Sequence, residues 1–391
     1  MSVTDYSAKN SILTCKRLQG ATDARQRPES HTSVCEQADN KADVVPCDRL
    51  PKSPPFVIPI FIAHQGCPHQ CLFCNQRSIT GASEGMVTAQ AVQETIRTQL
   101  AWPRRYPTAP VQVAFYGGSF TGLDLERQRE LLGAVQPFLA TGQVREIRLS
   151  TRPDYVTPEI ALFLREHGVG IVELGAQSLD DRVLAASGRG HTAAQVKAAV
   201  ACLKEEGLQV GLQLMLGLPG DNTVTALASG RQAADLEPDM VRLYPCLVIS
   251  GSPLAELYHQ GQYQPLSLNR AVAMAGRLWL IFKAHNIPVV RMGLQPSASL
   301  EKTVLAGPYH PAFGELVLSR IFFNQVRAKL SSRRLHQPHR LTLAKADESI
   351  YRGRGNANVK RLGALGLLEG VETVFSASQA RQTVQVAAIA S

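Results

Sequence analysis

Alternating strand and helix patterns run along the chain from residue 56 and limit its fold more than any other feature. Short apolar or β-branched runs predict strands at Phe56–Ala63, Val111–Tyr116, Glu146–Ser150, Gly170–Leu174, Val210–Leu216 and Met240–Tyr244. Amphipathic stretches predict helices at Ala89–Trp102, Leu125–Leu139, Pro158–His167, Ala193–Glu206 and Thr223–Leu236. Such units, joined by right-handed crossovers, predict an α/β fold: an open, partial TIM-like barrel of about six βα units. A doubly wound sheet is the competing architecture.

This pattern divides the chain into three regions. The segment 1–55 is polar, lacks hydrophobic periodicity and is predicted to be a disordered N-terminal segment. Residues 56–300 are predicted to form the barrel core. Residues 301–391 are predicted to be a smaller C-terminal α/β extension, basic and mainly helical, with a loose tail. Long helices are expected at Leu268–Ala284 and Phe313–Leu330, with an apolar strand at Ile287–Met292 between them.

Composition limits the location and the partners. The chain has no run of eighteen apolar residues and no secretory core at its start, so we expect no membrane contact and a cytoplasmic location. The net charge of +9 favours anionic partners such as RNA, nucleotides or acidic metabolites. Eight cysteines in 391 residues are too sparse for a disulfide framework. In a reducing compartment, their one tight cluster therefore predicts a metal site.

That cluster consists of Cys67, Cys71 and Cys74, spaced C-x3-C-x2-C directly after the first predicted strand. Thiolates select iron–sulfur clusters, zinc or copper(I). A structural zinc site needs four ligands; no second C-x2-C pair is present, although His64 or His69 could complete a tetrahedron. Three thiolates on a cubane would instead leave one iron open for a substrate or cofactor.

Polar and glycine-containing clusters follow the next three predicted strands. Gly117, Gly118 and Ser119 follow the second strand, Arg152 the third and Gln177 the fourth. Taken alone, paired glycines indicate only a tight turn, and Arg152 could equally lie on the surface or cap a helix. Because barrel enzymes build their sites at the carboxyl ends of their strands, we expect these residues to lie close together.

The cysteine spacing, with the aromatic Phe73 directly before the last cysteine, resembles the radical S-adenosylmethionine (SAM) superfamily. The resemblance implies a 4Fe-4S cluster on the three cysteines and SAM on the open iron. It also implies that an external one-electron donor drives cleavage of SAM to methionine and a 5′-deoxyadenosyl radical, which abstracts hydrogen from a substrate. Phe73 would pack beside the adenine and Gly117, Gly118 and Ser119 would bind the methionyl amino group, with Arg152 and Gln177 as further cofactor-binding residues.

Five longer stretches make the resemblance narrower. They are Gly117–Phe120, Thr151–Tyr155, Glu173–Ser178, Arg189–Thr192 and Leu243–Ile249. Together they resemble the radical SAM portion of the Elongator catalytic subunit family, which are tRNA wobble-uridine acetyltransferases. The residues after the core are too few and wrongly patterned for an acetyltransferase domain, and the cysteine loop is more compact than is usual in that family. Acetyl transfer is therefore not implied.

Basic residues crowd one part of the C-terminal extension. They are Arg320, Arg327, Lys329, Arg333, Arg334, Arg340, Lys345, Arg352, Arg354, Lys360 and Arg361. Such a concentration can neutralise RNA phosphates, although a solvated basic face fits equally well. A tRNA base is the first candidate substrate. The alternatives are an enzyme like oxygen-independent coproporphyrinogen oxidase, which shares the cysteine spacing, and a non-catalytic RNA-binding protein with a structural zinc.

Overall fold

The computed structural model describes residues 54–67, 71–75, 86–332 and 337–389. The segment 1–55, predicted to be disordered, lies outside the described residues except for its last two, and so do His69, Arg333 and Arg334. Among the described residues, no helix combines the length and the apolar composition needed to cross a membrane.

The described strands are named in chain order. They are β1 (Phe56–Phe61), β2 (Val111–Tyr116), β3 (Glu146–Thr151), β4 (Val169–Gln177), β5 (Gln209–Leu216), β6 (Met240–Pro245), β7 (Val248–Ile249), β8 (Val289–Met292), β9 (Val304–Ala306), β10 (His339–Ala344), β11 (Val371–Ser376) and β12 (Val384–Ala388).

The described α-helices are named in the same way. They are α1 (Ala89–Leu100), α2 (Leu125–Gly133), α3 (Gln136–Ala140), α4 (Pro158–Glu166), α5 (Asp181–Ala186), α6 (Ala193–Glu205), α7 (Thr223–Asp235), α8 (Pro253–His259), α9 (Leu268–Ala284), α10 (Ala298–Thr303), α11 (Phe313–Ser331), α12 (Glu348–Arg352) and α13 (Ala357–Ala364).

Seven parallel strands form the main sheet, in the order β1-β2-β3-β4-β5-β6-β8. In a flat sheet, β2 and β6 would lie about 19 Å apart, because neighbouring strands are spaced by about 4.8 Å. Nevertheless the Arg242 Nη2 atom on β6 lies 3.1 Å from the Tyr116 hydroxyl on β2. The sheet must therefore curl into a half-barrel, which confirms the predicted α/β partial barrel. Its seventh strand comes from the predicted apolar run at Ile287–Met292.

The outer face of the sheet carries the main hydrophobic core, which the helices cover. Five of the six residues of β2 are buried, as expected for a parallel strand that is covered on both faces. Gly168 and Gly207 follow α4 and α6 with φ values of +80° and +73°. These left-handed residues end the helices and turn the chain into the next strand.

Some elements differ from the sequence prediction. The single helix predicted at Leu125–Leu139 is divided into α2 and α3, and Pro137 lies in the first turn of α3. Proline cannot donate the backbone hydrogen bond that a continuous helix would require there. The short helices α5 and α8 have no counterpart in the prediction, because six or seven residues are too few to show helical periodicity.

The C-terminal extension contains a second, smaller core under a three-stranded sheet, in which β11 pairs parallel and β12 antiparallel with β10. The predicted loose tail is wrong for 384–388, because these residues form β12, whose Val384 and Val386 pack against the second core. Helix α11 joins the two cores: Phe313 packs in the main core and Phe323 in the second.

Candidate functional site

The cysteine loop leaves the carboxyl end of β1 and is fastened by backbone hydrogen bonds. The Leu72 amide donates to the Ser187 carbonyl oxygen at 3.1 Å, and the Cys74 amide donates to the Cys71 carbonyl oxygen at 3.0 Å. Cys67 is exposed, Cys71 is buried and Cys74 is half-buried, and all three cysteines are in the reduced form. The loop therefore brings its cysteines to the edge where the parallel strands end.

Glycines allow the cysteine loop to lie directly on the loop that follows β2. A Cβ atom on Gly66 would collide with the Ser119 carbonyl oxygen, and one on Gly118 would lie 2.5 Å from the Gln65 carbonyl oxygen. The Ser119 amide donates to that same Gln65 oxygen at 2.9 Å. Any side chain at these positions would separate the two loops. Gly118 thus serves this packing, and the contact of Gly117 and Gly118 with SAM stays a prediction.

Opposing effects act on the pKa of the Cys67 thiol. Its side chain reaches solvent, yet protein atoms surround most of it; this desolvation raises the pKa of the thiol, and the nearby Cys71 raises it further. The guanidinium groups of Arg189 and Arg152 lower the same pKa. Two cysteines and two arginines therefore share one small region. Cations so placed would stabilise the thiolate ligands of a negatively charged cluster.

Arg152 is buried directly after β3, with only 2% of the residue exposed. Its Nε and Nη2 atoms donate to the Asp154 carboxylate at 3.0 and 2.8 Å. Its Nη1 atom is buried and has no hydrogen-bond partner among the described residues. A surface position for Arg152 is therefore wrong. Because buried polar atoms rarely stay unpaired, Nη1 is a donor available to a ligand carboxylate or hydroxyl.

His191 provides the complementary acceptor. Its Nε2 atom lies 3.2 Å from the Ala176 carbonyl oxygen, so Nε2 carries the ring hydrogen and the buried Nδ1 offers a lone pair. Burial, followed by the nearby Arg189, lowers the pKa of His191 to about 3. The ring is therefore neutral near pH 7, and its Nδ1 atom can accept a hydrogen bond from a ligand but cannot act as an acid.

The other predicted cofactor-binding residues lie at the same edge. Gln177 ends β4 at an irregularity in the strand register, has a φ of +64° and accepts a hydrogen bond from Gln213 at 3.3 Å. The Ser119 hydroxyl is buried 3.1 Å from the Thr151 hydroxyl. Phe73 packs in an apolar cluster that also contains Cys71. The structure thus brings these residues together, while their contacts with SAM stay predictions.

A charged network lies on the inner face of the half-barrel. The Glu173 carboxylate on β4 accepts hydrogen bonds from Arg148 on β3, from Arg242 on β6 at 3.0 Å and from the Tyr116 hydroxyl at 2.9 Å. Burial, together with this carboxylate, raises the pKa of the Tyr116 hydroxyl, which stays protonated and donates. Between β4 and β6, Gly211 has no side chain to block the approach: a Cβ atom there would lie 3.1 Å from Glu173 Cγ.

The sequence does not reveal this network, nor a separate role for Arg189 or His191. One signal was available, because Arg148, Glu173 and Arg242 each lie between two apolar neighbours inside a strand. A charge at such a position must find a partner or face a polar cavity. The sequence does not show which strands supply the partners, because these pairs are 25 and 69 residues apart.

The donor set fits an iron–sulfur cluster. Three thiolates can hold a four-iron cluster and leave one iron open, whereas a structural zinc site needs a fourth ligand. Three reduced cysteines on one loop, two of them near Arg152 and Arg189, suit a cluster, and the unpaired buried atoms Arg152 Nη1 and His191 Nδ1 suit a polar ligand.

Comparison with known proteins gives a consistent result. A tRNA uridine(34) acetyltransferase of Methanocaldococcus jannaschii is 28% identical over 253 residues, which are 55% of this chain and 47% of the relative. The heme chaperone HemW of Mycobacterium tuberculosis is 29% identical over 199 residues, which are 50% and 51% of the two chains. This chain spans about half the length of the curated relatives it matches.

Among solved structures, the archaeal Methanocaldococcus infernus Elp3 has a similar fold, with a TM-score of 0.53 and 22% identity. The similarity covers 68% of this chain and 62% of that one. At this level of identity, the match supports the half-barrel fold.

The fold and the thiol loop define a class, the α/β half-barrel enzymes that use an iron–sulfur cluster. Models of two families match the chain: the Radical SAM superfamily over residues 61–226 and the Radical_SAM C-terminal domain over residues 238–322. The chain belongs to the radical SAM superfamily, as its motifs suggested, and is a radical SAM enzyme. Its cofactors are a 4Fe-4S cluster and SAM.

Proposed function

We propose that Cys67, Cys71 and Cys74 hold the cluster and that SAM binds beside it, where β2, β3 and β4 end. The position of the cysteine loop carries this proposal, because the loop rests on the Gly117–Ser119 turn. When bound, the reduced cluster supplies one electron that cleaves SAM to methionine and a 5′-deoxyadenosyl radical, and this radical abstracts hydrogen from the substrate. The electron comes from an external low-potential donor.

The residues of this chain would orient SAM and shield it from water. The unpaired Arg152 Nη1 would donate to the SAM carboxylate or to a ribose hydroxyl, and the neutral His191 would accept a hydrogen bond at Nδ1. Phe73, which is 9% exposed, would offer an apolar surface to the adenine. Reduced cysteines and a reducible cluster also suit the reducing cytoplasm.

Anaerobic reconstitution tests the cluster assignment. We expect about four irons per chain, visible absorption, and formation of 5′-deoxyadenosine from SAM after reduction. Cys71→Ala removes one of the three ligands and should abolish product formation, whereas Cys202→Ala, on helix α6, should leave it unchanged. A colourless protein that holds one zinc ion would refute the proposal and favour the zinc alternative.

We further propose that the substrate is a tRNA base. Relatives named for tRNA uridine(34) modification support this, and a basic surface on the C-terminal extension supports it independently. Arg327 on α11 and Arg361 on α13 are exposed and lie over the same Phe323 ring, with their Cζ atoms 6.0 and 4.6 Å from its centroid. Arg320 lies two helical turns before Arg327 and is also exposed. We call Arg320, Arg327 and Arg361 the basic surface.

The structure removes three residues from the broad basic region of the sequence, because acidic partners neutralise them. Lys345 and Arg352 both pair with Glu348, and Arg340 pairs with Glu372. Within the part of the chain that the structure describes, the basic surface has no such acidic partners. Its charge is therefore available to phosphates.

Charge reversal tests the basic surface. Arg327→Glu with Arg361→Glu should weaken tRNA binding and reduce its dependence on salt by about one slope unit for each phosphate that the variant no longer neutralises. Arg97→Glu with Arg182→Glu changes the net charge equally at exposed sites elsewhere and is the matched control. Equal binding by both double variants would remove the basic surface from the proposal. In a separate experiment, nucleosides that differ between the tRNA of a deletion strain and that of its parent would identify the modified base.

The relative named as a heme chaperone favours tetrapyrrole chemistry as a second candidate. Titration of the cluster-loaded chain with heme and with coproporphyrinogen separates the two candidates. Saturable binding of a tetrapyrrole at one site per chain, together with unchanged tRNA nucleosides in the deletion strain, would favour this candidate over tRNA.

A further inference from the structure

Arg189 joins the cysteine loop to the end of β4. Its Nη1 atom donates to the Cys71 sulfur at 3.2 Å, and its Nη2 atom donates to the Gly175 carbonyl oxygen at 2.7 Å. Both Arg189 and Cys71 are buried, at 7% and 5% exposure. A planar guanidinium can make these two contacts at once, which an ammonium group on a lysine cannot do with the same geometry.

The surrounding backbone holds Arg189 in this position. The Arg189 amide donates to the Leu184 carbonyl oxygen at 3.0 Å, and glycines with positive φ values of +65° and +73° flank the arginine. The Ser187 carbonyl, two residues earlier, accepts a hydrogen bond from the cysteine loop. Gly175 leaves room for the side chain, since a Cβ atom there would lie 2.8 Å from Arg189 Nη2. The segment that carries Arg189 is thus fixed to the loop that it contacts.

The charge on Arg189 is not cancelled locally. Arg152, the other arginine near the cysteines, pairs with Asp154. Arg189 has no carboxylate partner among the residues that the structure describes. Its positive charge therefore acts on the Cys71 sulfur through a short hydrogen bond in a buried setting, where electrostatic interactions are stronger than in water.

We propose that Arg189 is a positioning residue that raises the reduction potential of the cluster through its N–H···S hydrogen bond to Cys71. This rests on the proposed role of Cys71 as a cluster ligand. Adding one electron increases the negative charge on the sulfur ligands, so a nearby cationic donor stabilises the reduced state more than the oxidised state. The consequence is easier acceptance of the electron from the external donor.

Redox titration of the reconstituted protein, followed by electron paramagnetic resonance, tests this proposal. Arg189→Met removes both charge and donor and should shift the midpoint potential to more negative values; Arg189→Lys keeps the charge and should give a smaller shift. Arg182→Met removes an equal charge from the same part of the chain, at a side chain that is 87% exposed, and should leave the potential unchanged. An unchanged potential in Arg189→Met with full iron content would overturn the proposal.

A second variant changes the contact without touching Arg189. Gly175→Ala should displace Nη2 and shift the potential in the same direction as Arg189→Met, which keeps the proposal testable if Arg189→Met loads no iron. If Arg189→Met, Arg189→Lys and Gly175→Ala all fail to load iron, Arg189 serves cluster assembly and the proposal is wrong. If the wild-type chain holds no four-iron cluster, the proposed function itself fails.

Discussion

The half-barrel and the C-terminal extension each contain Arg–Glu ion pairs, and one pair from each region differs sharply in its access to water. In the half-barrel, the Arg148 and Glu173 side chains form an ion pair and are only 7% and 4% exposed. In the extension, the paired side chains of Arg340 and Glu372 are 52% and 51% exposed. An Arg–Glu ion pair is therefore enclosed by protein in the half-barrel and exposed to solvent in the extension.

This difference in solvent exposure determines what each set of charges can contribute. Burying an ion pair costs desolvation free energy that its attraction barely offsets, so the inner-face network is poor evidence of stability by itself. It does give the half-barrel a rigid polar surface of defined geometry, which suits the orientation of a small ligand. Exposed pairs are screened and mobile, so the extension is suited to general attraction of an anionic partner.

The largest effect expected from this comparison is the loss of the Glu173 carboxylate. Glu173→Gln leaves the guanidinium groups of the buried Arg148 and the half-buried Arg242 without their common counter-ion. Removing one partner of a buried pair costs about 3–5 kcal/mol. We therefore expect the free energy of unfolding of the cluster-free protein to fall by about that amount, as measured by urea denaturation.

Glu348→Gln is the matched control, because Glu348 also pairs with two cations, Lys345 and Arg352, but on the surface. Its midpoint of urea unfolding should stay within experimental error of the wild type. Equal destabilisation by both changes would contradict the distinction drawn between the two regions.

A smaller effect is expected from His191, the buried neutral histidine of the half-barrel. Its pKa is lowered to about 3 in the folded chain, from an ordinary value of 6.5 in the unfolded chain. Between these values the unfolded state binds more protons, so stability should fall as the pH decreases from about 6.5 towards 3. From pH 7 to pH 5, His191 should remove about 2 kcal/mol from the free energy of unfolding.

Comparison of His191→Gln with the wild type isolates this contribution, because glutamine keeps a donor for the Ala176 carbonyl oxygen and does not titrate. Urea denaturation of the cluster-free proteins at the two pH values should show a smaller loss in the variant. The surface variant His285→Gln should behave like the wild type. If His191→Gln shows the full wild-type pH dependence, the histidine is not buried in its neutral form.

Features encoded by neighbouring residues could be predicted from the sequence. The strands of the half-barrel and most of its helices follow local periodicity, and the cysteine spacing lies within one loop. The contact between Arg189 and Cys71 could not be predicted, because the two residues are 118 positions apart. Nothing in the local pattern tells a buried arginine which distant sulfur or carboxylate it will meet.

In the C-terminal extension, backbone structure that depends on distant residues likewise could not be predicted from the local sequence. The run that forms β12 has only five residues, with valines at positions 384 and 386, in a polar stretch. Its partner, β10, lies more than thirty residues earlier in the chain. Short strands gain their stability from such non-local pairing, so the sequence predicted a loose tail where a strand forms.

The smallest expected effect lies at the exposed pair between Arg340 on β10 and Glu372 on β11. A double-mutant cycle with Arg340→Gln and Glu372→Gln should give a coupling free energy of about 0.2–1 kcal/mol, since water and salt screen both charges. The coupling should shrink further in 1 M salt, where the screening length is about 3 Å. The exposed pair and the buried Arg148–Glu173 pair are chemically alike and differ chiefly in their access to solvent. A coupling free energy close to the 3–5 kcal/mol expected at Glu173 would therefore mean that exposure does not determine what these charges contribute to stability.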